Sequence, residues 1–286
     1  MSYSIRKLKY SEFPPLLKEI PDPPKELFCA GTLPAQDNKL LSVVGSRKVS
    51  GYGRDVCEKL ILEIAQYPIS IVSGLALGVD SIAHKAALKN KMHAIAIPGS
   101  GLDPSVLYPR SHLRLAEEVV ESGGTLLSEF EPEFKATIWS FPKRNRIMAG
   151  ISHATLIIEA EKKSGTLITS RLALDYNREV IAVPGSIFSP GSEGPNELLR
   201  LGAQPARSGD DILRALGIEA EEKSAIKYDS LSENEKIIIE LLKEPRDRDD
   251  IIREIGLPAS QVNMILSAME IKGYIKESMG EMHLNI

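Results

Sequence analysis

Ile69-Ser70-Ile71-Val72-Ser73-Gly74 precedes Val79-Asp80-Ser81-Ile82-Ala83-His84-Lys85-Ala86-Ala87-Leu88-Lys89, and the step between the two decides the fold. The first five residues are β-branched or small and read as a buried strand, Gly74 permits a tight turn, and 79–89 is a helix-length amphipathic run. The same unit recurs on both sides. Apolar or β-branched runs at 40–44, 93–97, 125–128, 154–159 and 180–183 alternate with helical patterns at 52–66, 112–121, 143–150, 165–177 and 196–201. That alternation predicts an α/β fold built on a doubly wound, mostly parallel sheet.

The strand ends point to a ligand edge. Gly45, Gly74, Gly99 and Gly185 each follow a strand, and Gly165 opens a helix. In open α/β sheets the carboxyl edge binds ligands, because tight turns expose backbone N–H groups and helix N-termini favour anions. Each glycine alone is explained equally well by a short strand-to-helix turn. Five at one edge predict a crevice.

With 286 residues, two domains are expected. Residues 1–39 carry Pro14-Pro15 and Pro21-Asp22-Pro23-Pro24 and read as an extended lead-in, a short remnant before a sheet domain over 40–218. A charged stretch at 219–227 reads as a linker. Residues 228–286 show three helical patterns, at 233–242, 248–255 and 260–272, then a hairpin pattern, which predicts a small C-terminal winged-helix domain.

Composition, 43% hydrophobic and 26% charged, excludes disordered, collagen-like and coiled-coil classes. The net charge of −4 is uneven: 28 basic against 27 acidic residues over 1–227, and 7 against 12 over 228–286. Neither part has the bulk positive charge of a non-specific nucleic-acid binder, so a polyanion site has to be a local cluster. Without an apolar run of membrane length or a leader-like start, the expectation is a cytoplasmic chain with no membrane span. Cys29 and Cys57 have no metal or disulfide spacing, the five histidines are scattered, and no metal or cofactor is expected.

Motifs for ATP hydrolysis, hydride transfer, zinc proteolysis and serine hydrolysis are missing. The strongest cluster is Phe141-Pro142-Lys143-Arg144-Asn145-Arg146, three cations and an amide at a loop-to-helix entry. On a helix Lys143 and Arg146 are neighbours, although a solvated charge run explains the cluster as well. Arg47 follows Gly45 and Ser46 at the sheet's carboxyl edge, where its planar fork and the turn's N–H groups suit phosphate oxygens. Ser164-Gly165-Thr166 offers hydroxyls and backbone donors at a helix start, or plain capping by Ser164.

In this order the residues resemble the DNA-processing protein A family, also called DprA or Smf. The likeness runs from about Phe13 to Ala203. It rests on Pro21-Asp22-Pro23-Pro24, Val44-Gly45-Ser46-Arg47, Ser73 through His84, Tyr108-Pro109, Leu127-Ser128-Glu129, Phe141 through Ile147, Ser164 through Thr169, Val183-Pro184-Gly185, and Gly194 through Leu199 with Gly202-Ala203. The resemblance implies an extended Rossmann-like domain that binds single-stranded DNA in a basic pocket, protects it, and helps load the RecA recombinase during natural transformation. It implies action by binding rather than catalysis, and a homodimer. Carried over position by position, Arg47, Lys143, Arg144, Asn145 and Arg146 contact phosphates, Gly45, Ser46, Gly74, Ser164, Gly165 and Thr166 form the pocket floor, and Asn196 is a further contact.

The chain departs from many relatives in having only about 39 residues before the first sheet-domain strand, where they carry a larger helical N-terminal domain. The acidic tail domain is poorly suited to grip duplex DNA, so a protein-contact or dimer-supporting role is expected for it. An alternative reading is a nucleotide-processing enzyme resembling lysine-decarboxylase-like phosphoribohydrolases. That family has a carboxylate shortly after its Gly-Gly-x-Gly-Thr loop, whereas Thr166 here is followed by no carboxylate until Asp175. A third is a sensor of small phosphorylated ligands with the winged helix as output.

Overall fold

Alternate residues of each central strand face two separate cores. In the computed structural model, which describes residues 3–162, 164–219, 231–278 and 280–284, Leu41 and Val43 of one strand enter one core while Leu40 and Val44 enter the other. The same division separates Ile71 from Val72, Ala94 and Ala96 from Ile95, and Leu156 from Ile157. A strand's period of two, buried on both faces, reads as a continuous apolar run, which is the pattern of a parallel sheet covered by helices.

The chain divides into two units, Met1–Glu219 and Ala220–Ile286. In the first, β1 (Ile5–Lys7), α1 (Pro15–Lys18) and β2 (Phe28–Gly31) precede β3 (Lys39–Val44). The chain continues through α2 (Gly51–Glu63), β4 (Ile69–Ser73), α3 (Val79–Lys89), β5 (Ala94–Ala96), α4 (Leu113–Glu121) and β6 (Thr125–Ser128). It then returns by α5 (Ser140–Ile151), β7 (Ala154–Ile157), α6 (Thr166–Asp175), β8 (Glu179–Ala182), α7 (Glu193–Arg200), β9 (Gln204–Pro205) and α8 (Gly209–Ala215). Among the described residues the sheet has nine strands, in the order β1-β2-β6-β5-β4-β3-β7-β8-β9. From β6 to β9 the pairing is parallel. Residues of α2, α3, α4 and α8 fill one core, and residues of α1, α5, α6 and α7 fill the other.

The N-terminal segment corrects the expected lead-in. β1 pairs antiparallel with β2, and β2 antiparallel with β6, so residues before 40 extend the sheet. Phe13, Leu17, Ile20 and Leu27 are buried in the second core. The prolines lie in the connections, and Pro15 opens α1, where a missing N–H costs nothing.

The second unit contains α9 (Glu233–Leu241), β10 (Arg246–Asp247), α10 (Arg248–Ile255), α11 (Ala259–Ile271), β11 (Ile275–Ser278) and β12 (Glu281–Leu284). Its strands pair in the order β10-β12-β11, and it has its own core of Ile238, Ile251, Leu266 and Met282 with their neighbours. Ser232 caps α9 and exchanges bonds with Glu235. From residue 220 onward the expected linker lies outside the described residues.

Candidate nucleic-acid interface

The winding of the sheet reverses at β3, with β4 on one side and β7 on the other. Chains leaving β3 and β7 therefore separate and leave a crevice at their carboxyl ends. It is a cavity of about 490 Å³. The β3 turn, Gly45, Ser46, Arg47 and Lys48, forms one wall, and Ser164, Gly165, Thr166 and Thr169 at the start of α6 form another. The first turns of α5 bring Phe141, Pro142, Arg144 and Asn145. Asp80 and Glu161 also reach the lining.

Its two arginines are held differently. Arg47 is exposed, makes no ion pair among the described residues, and lies with its guanidinium 5.4 Å above the Phe141 ring. A ring face supports a cation without neutralising it, so the planar fork stays open to an anion. Arg144 is only 5% exposed. One nitrogen donates to the carbonyls of Gly74 and of Ile97, the latter at 2.6 Å, and Nε donates to Asn145 Oδ1 at 3.1 Å. Arg144 belongs to the inward stripe of α5 with Ile147, Met148 and Ile151, which carries it under the β4 turn.

Asp80 meets the same turn from α3, its carboxylate accepting from the N–H groups of Gly74 at 3.1 Å and Ala76 at 3.3 Å. Burial pushes the Asp80 carboxyl up from its ordinary range, and the Arg144 charge pulls it back; burial likewise pushes Arg144 down, with Asp80 opposing. Gly74 makes this packing possible, because a Cβ there would fall on the Arg144 guanidinium and 2.5 Å from Asp80 Oδ2. Arg144 thus fastens α5 to the β4 turn through one terminal nitrogen and Nε, and it also lines the cavity.

The β3 turn is also more occupied than expected. Ser46 N–H donates to the Glu159 carbonyl at 2.7 Å, Lys48 N–H to Ser46 Oγ at 3.0 Å, and Ser50 N–H to Glu159 Oε2 at 2.9 Å. Ser50 Oγ donates to the other Glu159 oxygen at 2.5 Å. A carboxylate of the protein therefore fills the anion position at the N-terminus of α2, where Gly53 leaves room for it. The cations on this wall are Arg47 and Lys48, both exposed.

At the start of α6, Thr166 N–H donates to Ser164 Oγ at 3.1 Å, and that hydroxyl donates to Thr166 Oγ1 at 3.0 Å. These bonds form a local hydroxyl turn ahead of α6, whose N-cap residue is Gly165 and not Ser164, which corrects the plainer capping reading. Thr166 Oγ1 keeps a donor, and nothing lies within 4 Å of a Cβ built on Gly165, so a ligand can approach that backbone closely.

Of the expected site residues, Gly45, Ser46, Arg47, Arg144, Asn145, Ser164, Gly165 and Thr166 line the cavity. Gly74 lines a small adjoining recess with Arg47 and Phe141. Lys143, Arg146 and Asn196 lie outside both hollows. Lys143 is exposed over the Trp139 ring, at 5.1 Å. Arg146 pairs with the half-buried Glu129 and donates to the Asp22 carbonyl at 2.6 Å. Asn196 bridges both polar groups of the Gly185 backbone, at 3.2 and 3.0 Å, and pins the turn after β8. The sequence reading passed over Lys48, Asp80, Glu161 and Thr169. Lys48 was detectable as a second cation beside Arg47, whereas the others declare themselves only by packing.

Among the described residues no three His, Cys, Asp or Glu side chains are grouped to hold a metal ion, and no helix is long and apolar enough to cross a membrane. The family profile described as DNA recombination-mediator protein A matches residues 5–217, and the DprA winged helix domain matches 227–281. Protein Smf of Escherichia coli is 40% identical over 280 residues, covering 93% of this chain and 73% of that protein. DNA processing protein DprA of Bacillus subtilis is 41% identical over 207 residues, covering 72% and 68%. The solved structure of DNA processing protein A from Streptococcus pneumoniae superposes with a TM-score of 0.70 at 37% identity, covering 76% of this chain and 75% of that one. For the Helicobacter pylori protein the TM-score is 0.67 at 31% identity, covering 75% and 96%. A mostly parallel sheet with its crevice at β3, a winged helix after it, and likeness across nearly the whole length lead to one conclusion: the chain belongs to the DNA recombination-mediator protein A family.

Proposed function

We propose that the chain binds single-stranded DNA along the crevice, with a backbone phosphate held between Arg47 and the start of α6. The observation that carries this reading is the exposed Arg47 guanidinium, without an ion pair among the described residues, held over Phe141 at a cavity with hydroxyl and backbone donors opposite. In this reading Lys48, Asn145, Gly165 and Thr166 complete the contacts, while Gly45, Ser46, Gly74, Arg144 and Ser164 shape the walls. Contacts of this kind track a backbone with little base readout, and a single strand can offer rings to Phe141 that a duplex keeps stacked. The Helicobacter pylori relative is described by its single-stranded DNA binding mode, which supports the assignment.

The chain acts by binding rather than catalysis, as a homodimer in the cytoplasm, protecting incoming strands and loading RecA during natural transformation. The second unit serves protein contacts. The phosphoribohydrolase alternative needs a carboxylate soon after Thr166, and α6 presents none before Asp175 at its far end. Fluorescence anisotropy with a labelled oligo-dT and the matching duplex tests the binding step: single-strand preference, with at least tenfold loss in Arg47→Ala, is expected, and equal affinity for both forms contradicts it. RecA filament growth on strands coated with single-strand-binding protein tests the loading step, and no acceleration by the chain contradicts that.

A further inference from the structure

Beside the cavity, and sharing Arg47 and Phe141 with it, lies a recess of about 30 Å³ whose rim is Leu77, Tyr108 and Pro109. Three flat groups run across this junction. The Arg47 guanidinium lies 5.4 Å from the Phe141 ring centre, and the Phe141 and Tyr108 centres are 5.6 Å apart with planes tilted by 56°. Tyr108 is 46% exposed and Leu77 48% exposed, an apolar lip beside the cavity. Tyr108 sits on fixed backbone, since its N–H donates at 3.2 Å to the hydroxyl of the fully buried Ser100, and its neighbour Leu107 is buried. A ring held this way loses little freedom when something flat covers it.

We propose that Tyr108, flanked by Leu77, is a stacking platform for the base of the nucleotide adjoining the phosphate held by Arg47. The proposal rests on the single-strand reading above and adds the subsite next to it. Arg47 lines both hollows, so a strand whose phosphate sits on it continues along the lip of the recess, where Tyr108 presents an exposed ring. Stacking tolerates any base because every base has a flat face.

The test uses the full chain with oligo-dT and the same oligonucleotide carrying abasic sites. Tyr108→Ala is expected to weaken oligo-dT binding by about five- to a hundredfold. The slope of log affinity against log salt stays at the wild-type value, since every phosphate contact is kept. Tyr108→Phe binds within about twofold of wild type, and on the abasic strand Tyr108→Ala and wild type bind alike. Unchanged oligo-dT binding in Tyr108→Ala, or an equal loss on the abasic strand, overturns the platform. If Tyr108→Ala does not fold, Tyr108→Leu keeps the apolar bulk without the ring and is read the same way. Loss in Arg47→Ala with none in Tyr108→Ala leaves the single-strand reading standing alone, whereas no wild-type binding to either strand overturns both.

Discussion

Arg144→Met and Arg47→Met remove the same charge from the lining of one cavity and have opposite consequences. Arg144 is buried, donates to two carbonyls and opposes the charge on Asp80, while Arg47 is exposed and makes no ion pair among the described residues. Removing one member of a buried charge pair costs about 3–5 kcal/mol. In a unit of 219 residues, at about 2–4 °C per kcal/mol, that is a fall in Tm of roughly 6–20 °C. Arg47→Met costs at most about 1 kcal/mol, because it removes little beyond the cation–π attraction to Phe141.

Trp139 is the sole tryptophan and packs against Phe134 with ring centres 5.4 Å apart, so urea unfolding followed by its fluorescence reports on the first unit alone. Without Arg144, Asp80 is held still higher above its unfolded value. A group so raised contributes stability at low pH that is lost as pH rises through its folded pKa, so the deficit of Arg144→Met narrows as pH falls from 7 toward 5. A deficit below about 1 kcal/mol at pH 7, or one that widens on acidification, refutes the reasoning.

His84 is fully buried in α3, and burial holds its ring at a pKa of about 3 against 6.5 when exposed. The unfolded chain binds a proton that the folded one refuses, so this group lowers stability by about 1.4 kcal/mol per unit as pH drops from 6.5 toward 3. His84→Gln is expected to flatten that limb in urea titrations, and a parallel limb would contradict it. Asn196→Ala removes two bonds to the Gly185 backbone and costs about 1–3 kcal/mol with no change in the salt slope of strand binding; a changed slope would place Asn196 on the strand. In the second unit, α11 exposes Gln261, Met264, Ser267 and Ile271, and its one charged residue, Glu270, lies 3.4 Å from Arg248. Gln261→Asp with Ser267→Asp therefore leaves duplex affinity of the full chain within about twofold, and a tenfold loss would place a duplex on that face.

Much of this fold was legible because its signal is local. The strand at 69–73 and the helices at 79–89 and 248–255 follow directly from periodicity and turn residues. β2 was not legible: Phe28-Cys29-Ala30-Gly31 is four residues among prolines, and it is a strand because β6 offers it an edge. The site divides the same way. Gly45, Arg47 and Gly165 could be placed at the carboxyl edge from the sequence alone. The run from Lys143 to Arg146 could not be sorted, because what separates its cations lies far along the chain. Arg144 is claimed by Gly74, 70 residues away, and Arg146 by Glu129 and Asp22. Only the inward stripe of Ile147, Met148 and Ile151 hinted that Arg144 shares a buried face.

The account stands most directly on the salt dependence of oligo-dT binding, compared among wild type, Arg47→Ala and Arg146→Ala. Each phosphate contact on a single strand contributes about 0.7 to the slope of log affinity against log salt. Arg47→Ala is expected to flatten the slope by about that amount or twice it, and Arg146→Ala, engaged by Glu129 and Asp22, to leave it unchanged. A wild-type slope in Arg47→Ala, or flattening in Arg146→Ala alone, would contradict the placement of the strand in this crevice.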